Sequence, residues 1–198
     1  MKYDSANVWA HGHMSQRNRR SIRLQGYDYS QAGAYFVTTC TQNRECLFGH
    51  IVDGEMRLKD AGKIVADEWM KTATIRHEIE LDEWVVMPNH FHGIVVIAGD
   101  PVGAHGRAPL RHIRAPLPPP DAAERMLRRP PKSLGSLVAG FKSAVTIRVN
   151  ELRKTPGAKL WQRNYWEHIV RNECELNRIR EYIRNNPARW ETDKLFVS

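Results

Sequence analysis

The stretch from Trp84 to Ile97 constrains the fold most, because two short apolar segments meet there at a Pro-Asn dipeptide. This pattern predicts two β-strands joined by a tight turn. Side chains alternate between the two faces of a strand, so we expect His90 and His92 on one face and Phe91 on the other. Two imidazoles at this spacing form half of a metal site, but the same spacing also occurs in strands that bind nothing. A third ligand elsewhere in the chain has to decide between these interpretations.

The charge of the chain indicates what kind of partner it has. Basic residues outnumber acidic residues by 30 to 22, a net charge of +8, which favours a polyanion such as nucleic acid. The three cysteines lack Cys-x-x-Cys spacing, which argues against a disulfide framework and a thiolate zinc site. No apolar run reaches the roughly 18 residues of a membrane span, so we expect a cytoplasmic protein.

Composition divides the chain into regions. Residues 1–30 are predicted to form a basic N-terminal arm, residues 31–190 a single domain, and residues 191–198 a short tail. Residues 101–131 contain eight of the eleven prolines, interleaved with arginines, and are predicted to be a long basic insertion. The arm and the insertion are each either solvated spacers or contacts for nucleic acid.

Apolar periodicity predicts an ordered series of elements. The predicted elements are a strand over 34–41, a helix over 60–76, the two strands of 84–97, a helix over 133–152, a strand over 165–170 and a helix over 173–186. This order is the ferredoxin-like split β-α-β arrangement with one helix added. We therefore expect an α+β sandwich with an antiparallel sheet of about four strands, helices on one face and an additional C-terminal helix.

The last predicted helix supplies the missing groups for a metal site. Arg178, Tyr182 and Asn186 are successive i, i+4 neighbours and so share one face of that helix. If this face packs against the strand of His90 and His92, Asn186 offers an oxygen ligand and Tyr182 a nucleophile. Two imidazoles and an amide oxygen, with positions left open, suit Mg²⁺ or Mn²⁺ bound together with phosphate.

Three segments in this order carry a resemblance to a known family: 88–93 (PNHFHG), 161–171 (WQRNYWEHIVR) and 182–187 (YIRNNP). From about Arg20 to Trp190, the chain resembles the REP-associated tyrosine transposases, relatives of the single-tyrosine HUH transposases of small insertion sequences. The resemblance implies a metal-dependent endonuclease and strand transferase. Its substrate would be single-stranded DNA with hairpins of repeated extragenic palindromes. The resemblance also implies a bacterial, nucleoid-associated protein that works as a monomer, and it leaves a dimer open.

The resemblance also implies roles for individual residues. His90 and His92 would hold the Mg²⁺ or Mn²⁺ ion, Asn186 would complete its ligands, and Tyr182 would attack the scissile phosphate. The products would be a 5′-phosphotyrosine and a free 3′-hydroxyl. A phenol with a pKa of about 10 is a poor nucleophile at neutral pH, so a nearby cation is needed to stabilise the phenolate.

Tyr165 is the rival nucleophile, because it lies in a conspicuous motif beside Glu167 and His168. No amide ligand follows Tyr165 at i+4, so Tyr182 is favoured. Residues that we expect to orient a ligand or to contact DNA are His168, Glu167, Arg178, Lys142, Arg20 and Arg23. The chain ends soon after the nucleophile helix, and we expect little room for an element that covers the site.

Three alternative functions stay open at this stage. A rolling-circle initiator or plasmid relaxase shares the paired histidines and the tyrosine chemistry, but the small size and the lack of a helicase segment argue against it. A domesticated DNA-hairpin binder would keep the basic charge and lose cleavage. A hydrolytic nuclease that uses metal-bound water would leave no covalent adduct.

Overall fold

The computed structural model describes residue 24 and residues 26–98 and 132–196. The strands are β1 (Gly33–Cys40), β2 (Gly49–Val52), β3 (Glu55–Leu58), β4 (Ile79–Val86), β5 (His90–Ile97) and β6 (Trp166–Val170). The helices are α1 (Asp60–Ile75), α2 (Leu134–Arg153) and α3 (Glu173–Asn185), with two short 3-10 helices at Gln42–Arg44 and Pro187–Thr192. The predictions for the insertion, for Arg20 and Arg23 and for most of the basic arm lie outside the described residues.

The main sheet has four antiparallel strands in the order β4-β5-β1-β6. β1 lies between β5 and β6, and β4, which follows α1, lies at the edge beside β5, as the ferredoxin-like arrangement requires. The predicted α+β fold class is therefore confirmed.

A separate hairpin of β2 and β3 was not predicted. It turns at Asp53 and Gly54, which have φ angles of 51° and 76°. An Asp-Gly pair between apolar and β-forming residues is a strong hairpin signal, because both positions of such a turn favour left-handed φ. The signal is present in the sequence, but the strands are only four residues long.

One face of the sheet is covered by α1 and α2. Its buried core includes Trp69 from α1, Phe141 from α2 and Phe91 from β5, with ring centroids 4.6 to 5.3 Å apart. Gly93 makes this approach possible, because a Cβ there would lie 2.6 Å from the Trp69 ring. The two predicted crossover helices thus share a face, which we call the α1/α2 face.

The added helix α3 packs on the opposite face, which we call the α3 face. Its apolar stripe of Leu176, Ile179 and Ile183 is buried with Ala34, Phe36, Ile94 and Val170 of the sheet. Asn172 caps the helix, since its side-chain oxygen accepts a hydrogen bond from the Glu175 amide at 2.9 Å.

Ion pairs fix the outer side of α3 to β4. Arg180 binds Asp82 through two nitrogens, the shorter contact being 2.6 Å, and Arg184 binds Glu83 at 2.7 Å. These pairs set the rotation of α3 about its axis, so Tyr182 lies over β1 and β5.

Within residues 26–98 and 132–196, no helix combines the length and apolar content that a membrane span requires.

Candidate metal and nucleophile site

The two histidines lie at the start of β5, on the α3 face. Their ring centroids are 4.5 Å apart, and the exposed fractions of His90 and His92 are 0% and 3%. Phe91 points into the α1/α2 face, as the alternation of strand side chains requires. The backbone of β5 therefore holds two buried imidazoles side by side.

Asn89 fixes the protonation of His90. The Asn89 side-chain nitrogen donates to the Arg44 carbonyl at 3.2 Å and to the Leu195 carbonyl at 2.7 Å, which leaves its oxygen 2.8 Å from His90 Nδ1. Because that oxygen can only accept, Nδ1 carries the proton and Nε2 keeps its lone pair. His90 Nε2 is buried and has no hydrogen-bond partner among the described residues. This is the arrangement of an imidazole that ligates a metal.

His92 is oriented from β1. Thr38 pairs with His92 across the two strands, and its hydroxyl lies 2.7 Å from His92 Nδ1. The other ring nitrogen, Nε2, lies 3.3 Å from the Tyr182 hydroxyl. Both imidazoles thus have their Nδ1 atoms engaged and present their Nε2 atoms to α3.

Burial keeps both imidazoles neutral. Desolvation lowers the pKa of His90 to about 3, an effect that the Asn186 amide opposes and the charge of Arg44 reinforces. The pKa of His92 also lies well below its usual range, because of burial and the adjacent His90. Both side chains are therefore in the form that binds a metal ion at neutral pH.

Asn186 and Asp193 bring oxygen atoms to the histidines. Asn186 is buried, and its side-chain nitrogen donates to Asp193 Oδ2 at 3.1 Å. Asn186 Oδ1 is also buried, without a hydrogen-bond partner in the part of the chain that the structure describes. His90, His92 and Asp193 offer ligand atoms within 4.8 Å of one another, so this group could hold a metal ion. Sequence reasoning missed Asp193, which follows no motif and lies in the segment predicted to be a tail.

Tyr182 lies at the mouth of this group. Its side chain is 38% exposed, and its hydroxyl lies 3.3 Å from His92 Nε2 and 3.5 Å from Asp193 Oδ2. The ring packs edge-on against Phe36, with centroids 6.1 Å apart. Burial and the Asp193 carboxylate raise the pKa of Tyr182 above its usual range, so the phenol is protonated in this arrangement.

The end of the chain covers the site, which corrects the expectation of little room for such an element. Pro187 starts a 3-10 helix that redirects the chain, and Trp190 packs on the His90 ring with centroids 5.9 Å apart. The Leu195 carbonyl then accepts the hydrogen bond from Asn89, and Asp193 approaches Tyr182. Ten residues suffice because the turn occurs directly after α3.

The rival tyrosine lies elsewhere. Tyr165 precedes β6 and packs against the core of the α1/α2 face, on the side of the sheet opposite the histidines. Glu167 occupies the same face of β6 by alternation, and it is largely buried. The structure does not bring either residue to Tyr182.

The remaining predicted residues take other positions. His168 Nε2 lies 2.9 Å from Glu175 Oε1, so its contact is with the first turn of α3. Arg178 is exposed on α3, and the Lys142 ammonium donates to the Gln162 carbonyl at 2.7 Å. The structure thus brings together Tyr182, Asn186 and both histidines and leaves these three residues outside the group.

Comparisons with known proteins agree with the architecture. No family model matches the chain. A protein of Haemophilus influenzae, described as uncharacterized, is 40% identical over 180 residues, which cover 91% of this chain and 94% of that protein. A solved structure of a REP-associated tyrosine transposase bound to a REP hairpin superposes with a TM-score of 0.52 at 19% identity, covering 86% of this chain and 74% of that one. The chain therefore belongs to the family of the Haemophilus influenzae protein, and it has the fold of a tyrosine transposase.

Proposed function

We propose that the protein is a divalent-metal-dependent endonuclease and strand transferase acting on single-stranded DNA that carries hairpins, with Tyr182 as its nucleophile. The observation that carries the proposal is the position of the Tyr182 hydroxyl, which lies 3.3 Å from His92 Nε2. The buried atoms His90 Nε2 and Asn186 Oδ1 belong to the same site. The fold shared with a transposase bound to a REP hairpin supports a hairpin substrate.

The donor set fits a divalent ion. His90 Nε2 and Asn186 Oδ1 are both buried without hydrogen-bond partners in the described ranges, and a buried lone pair without a partner is costly. A cation bound to both atoms would remove that cost. His90, His92 and Asn186 would hold it, and imidazole ligands favour Mn²⁺ more than Mg²⁺. When bound, the ion would supply positive charge that stabilises the Tyr182 phenolate and the phosphate oxygens.

Neighbouring residues orient these ligands. Asn89 fixes the tautomer of His90, and Thr38 holds the ring of His92. Asp193 accepts from the Asn186 side-chain nitrogen, so the Asn186 oxygen points away from Asp193. Asp193 Oδ2 also lies 3.5 Å from the Tyr182 hydroxyl, where it can receive the phenol proton.

The proposed reaction is a transesterification. The Tyr182 oxygen forms a bond to phosphorus while the bond from phosphorus to the 3′-oxygen breaks. The phosphate stays joined to the 5′ side as a phosphotyrosine, and the departing 3′-oxygen takes up the proton that the phenol gave to Asp193. The reverse reaction with another 3′-hydroxyl rejoins the strand without an external energy source.

The test is a search for a covalent protein-DNA adduct. The protein is incubated with Mn²⁺ and labelled hairpin oligonucleotides that carry single-stranded extensions, and the products are separated under denaturing conditions. We expect an adduct that is lost in Tyr182→Phe, since this change removes only the nucleophilic oxygen. Tyr165→Phe is the matched control and keeps the adduct, because Tyr165 lies on the opposite face.

Two results would contradict the proposal. An adduct that persists in Tyr182→Phe would assign the nucleophile to another residue. Cleavage without any adduct would indicate a hydrolytic nuclease. Circular dichroism of each variant checks that it is folded, so a lost adduct is not a lost structure.

A further inference from the structure

A groove on the α2 side of the molecule has charges that the proposed active site does not use. It lies between α2 and the segment 158–163, has a volume of about 400 Å³, and is lined by Lys142, Lys159 and Arg163 among others. We call it the 158–163 groove.

The charge around this groove is one-sided. Between residues 142 and 166 the sequence has six basic residues and one acidic residue, Glu151. The segments 60–76 and 172–186, which contain α1 and α3, each have three basic and three acidic residues. Of these three segments, 142–166 has the only basic excess, although one of its cations, Arg148, pairs with Asp67 and Glu68 of α1.

Two of the groove cations lack the ion-pair partners that cations on α1 have among the described residues. On α1, Lys63 and Lys71 pair with Asp60 and Glu68 at 3.0 Å. Lys159 and Arg163 are exposed, and neither has an ion-pair partner within the described residues. Exposed cations without acidic neighbours are available to phosphates.

The walls of the groove are already fixed in place. The Lys142 ammonium donates to the Gln162 carbonyl at 2.7 Å, and the Trp161 indole donates to the Lys142 carbonyl at 3.2 Å. At the other end, the Asn150 side chain donates to the Ala158 carbonyl at 2.9 Å. A ligand would not have to order this segment, so little conformational entropy is lost on binding.

The groove is connected to the active site through the end of the sheet. Gln162 donates its amide to the Cys40 carbonyl at 2.9 Å, and Cys40 is the cross-strand partner of His90. Segment 158–163 therefore lies at the same end of the sheet as His90, where a strand of DNA that leaves the site would pass it.

We propose that the 158–163 groove binds the phosphate backbone of the single-stranded DNA that flanks the cleaved position, through Lys159 and Arg163. This inference rests on the proposed function for the identity of the polyanion. A single strand is the expected occupant, because the proposed substrate is single-stranded beside its hairpin and because basic grooves are typical of sites that follow a single-stranded backbone.

The test compares two double variants that remove the same charge. Lys159→Ala with Arg163→Ala removes the groove cations, whereas Lys63→Ala with Lys71→Ala removes two exposed cations that are ion-paired. Each protein also carries Tyr182→Phe, so that cleavage does not disturb the equilibrium. The probe is a fluorescent oligothymidylate of about 20 nucleotides, and its Kd is measured by anisotropy between about 50 and 200 mM salt.

We expect the groove variant to lose affinity about tenfold and its salt slope to fall by about 1.4, near 0.7 for each single-strand phosphate contact. The α1 control should change its Kd by less than about twofold with an unaltered slope. Equal losses in both variants would overturn the inference, because they would reflect net charge alone. An equal loss for a duplex of the same length would overturn the assignment to single strands.

Failure of the inference and failure of the proposed function give different results. A normal adduct with Tyr182 together with an unchanged salt slope in the groove variant rejects the groove alone. A reduced slope without any adduct supports single-strand binding by the groove and rejects the proposed strand transfer through Tyr182.

Discussion

The two faces of the central sheet are packed in different ways. The α1/α2 face is built around aromatic contacts such as Trp69 with Phe91, at 4.6 Å. The α3 face has an apolar half around Ile94 and a polar half in which His90 and Asn186 have buried atoms without hydrogen-bond partners among the described residues. On the α1/α2 face, the Trp69 indole nitrogen and the Thr39 hydroxyl are buried polar atoms without hydrogen-bond partners in the part of the chain that the structure describes.

This difference indicates which face of the sheet stabilises the fold and which face has groups available to a ligand. Apolar burial stabilises a fold in proportion to the area removed from water. Buried lone pairs without partners destabilise it unless something else binds them. The α1/α2 face therefore supports the fold, and the α3 face has the groups that a ligand would satisfy. Four substitutions test this comparison.

The largest loss of stability is expected from Trp69→Ala on the α1/α2 face. Trp69 is fully buried against Phe91 and Phe141, so the change should lower the free energy of unfolding by about 3–5 kcal/mol. Chemical denaturation measures this loss. A loss below about 1 kcal/mol would mean that the α1/α2 face is not the stabilising one.

Asn89→Ala should affect both stability and metal binding. It removes hydrogen bonds to the Arg44 and Leu195 carbonyls and to His90, and we expect a loss of about 2 kcal/mol of stability. Loss of the group that sets the His90 tautomer should weaken Mn²⁺ binding about 10- to 100-fold. Titration calorimetry with Mn²⁺ measures the affinity. Unchanged Mn²⁺ affinity in a folded variant would remove Asn89 from the metal site.

Asn186→Leu should affect metal binding more than stability. Without metal, the change removes a buried oxygen that has no hydrogen-bond partner among the described residues, but it also removes the hydrogen bond from the amide nitrogen to Asp193. These effects on stability oppose each other, so we expect a net change of less than about 1 kcal/mol. Mn²⁺ should raise the melting temperature of the parent protein more than that of the variant, since the variant lacks the oxygen ligand. Thermal melts with and without Mn²⁺ measure both effects, and equal shifts in the two proteins would contradict the ligand role of Asn186.

The last substitution tests the ion pair between Arg180 and Asp82, which positions α3 and contributes least to stability. Burial of Asp82 acts to raise its pKa, but hydrogen bonds from Arg180 and the Glu83 amide hold the pKa of Asp82 below its usual range. The pair therefore stabilises the fold above about pH 4, and this contribution is lost as the pH falls through the folded-state pKa.

The measurement for this pair is the difference in stability between the parent protein and Asp82→Asn. For a partly exposed pair we expect about 1 kcal/mol at pH 7 and a smaller difference at pH 3. A difference that stays constant between these pH values would show that the pair does not hold α3 on the sheet.

Short-range patterns account for most of what the sequence predicted. The predicted helix over 173–186 matches α3 at Glu173–Asn185, because its stripe of Leu176, Ile179 and Ile183 repeats at helical spacing. The hairpin of β2 and β3 was missed, since two strands of only four residues give a weak signal apart from their Asp-Gly turn.

For the site, the sequence by itself determined which residues are neighbours within an element. Strand alternation placed His90 and His92 on one face, and helical spacing placed Tyr182 beside Asn186. These relations depend on backbone geometry over a few residues and need no tertiary information.

Only the tertiary structure decided which faces meet and what surrounds them. Asn89 binds the carbonyls of Arg44 and Leu195, and Asp193 approaches Tyr182 from beyond α3. Tyr165 lies on the opposite side of the sheet from the histidines. Such contacts join segments that are far apart in the chain, and they are set by the packing of the core and by the turn at Pro187 rather than by a local pattern.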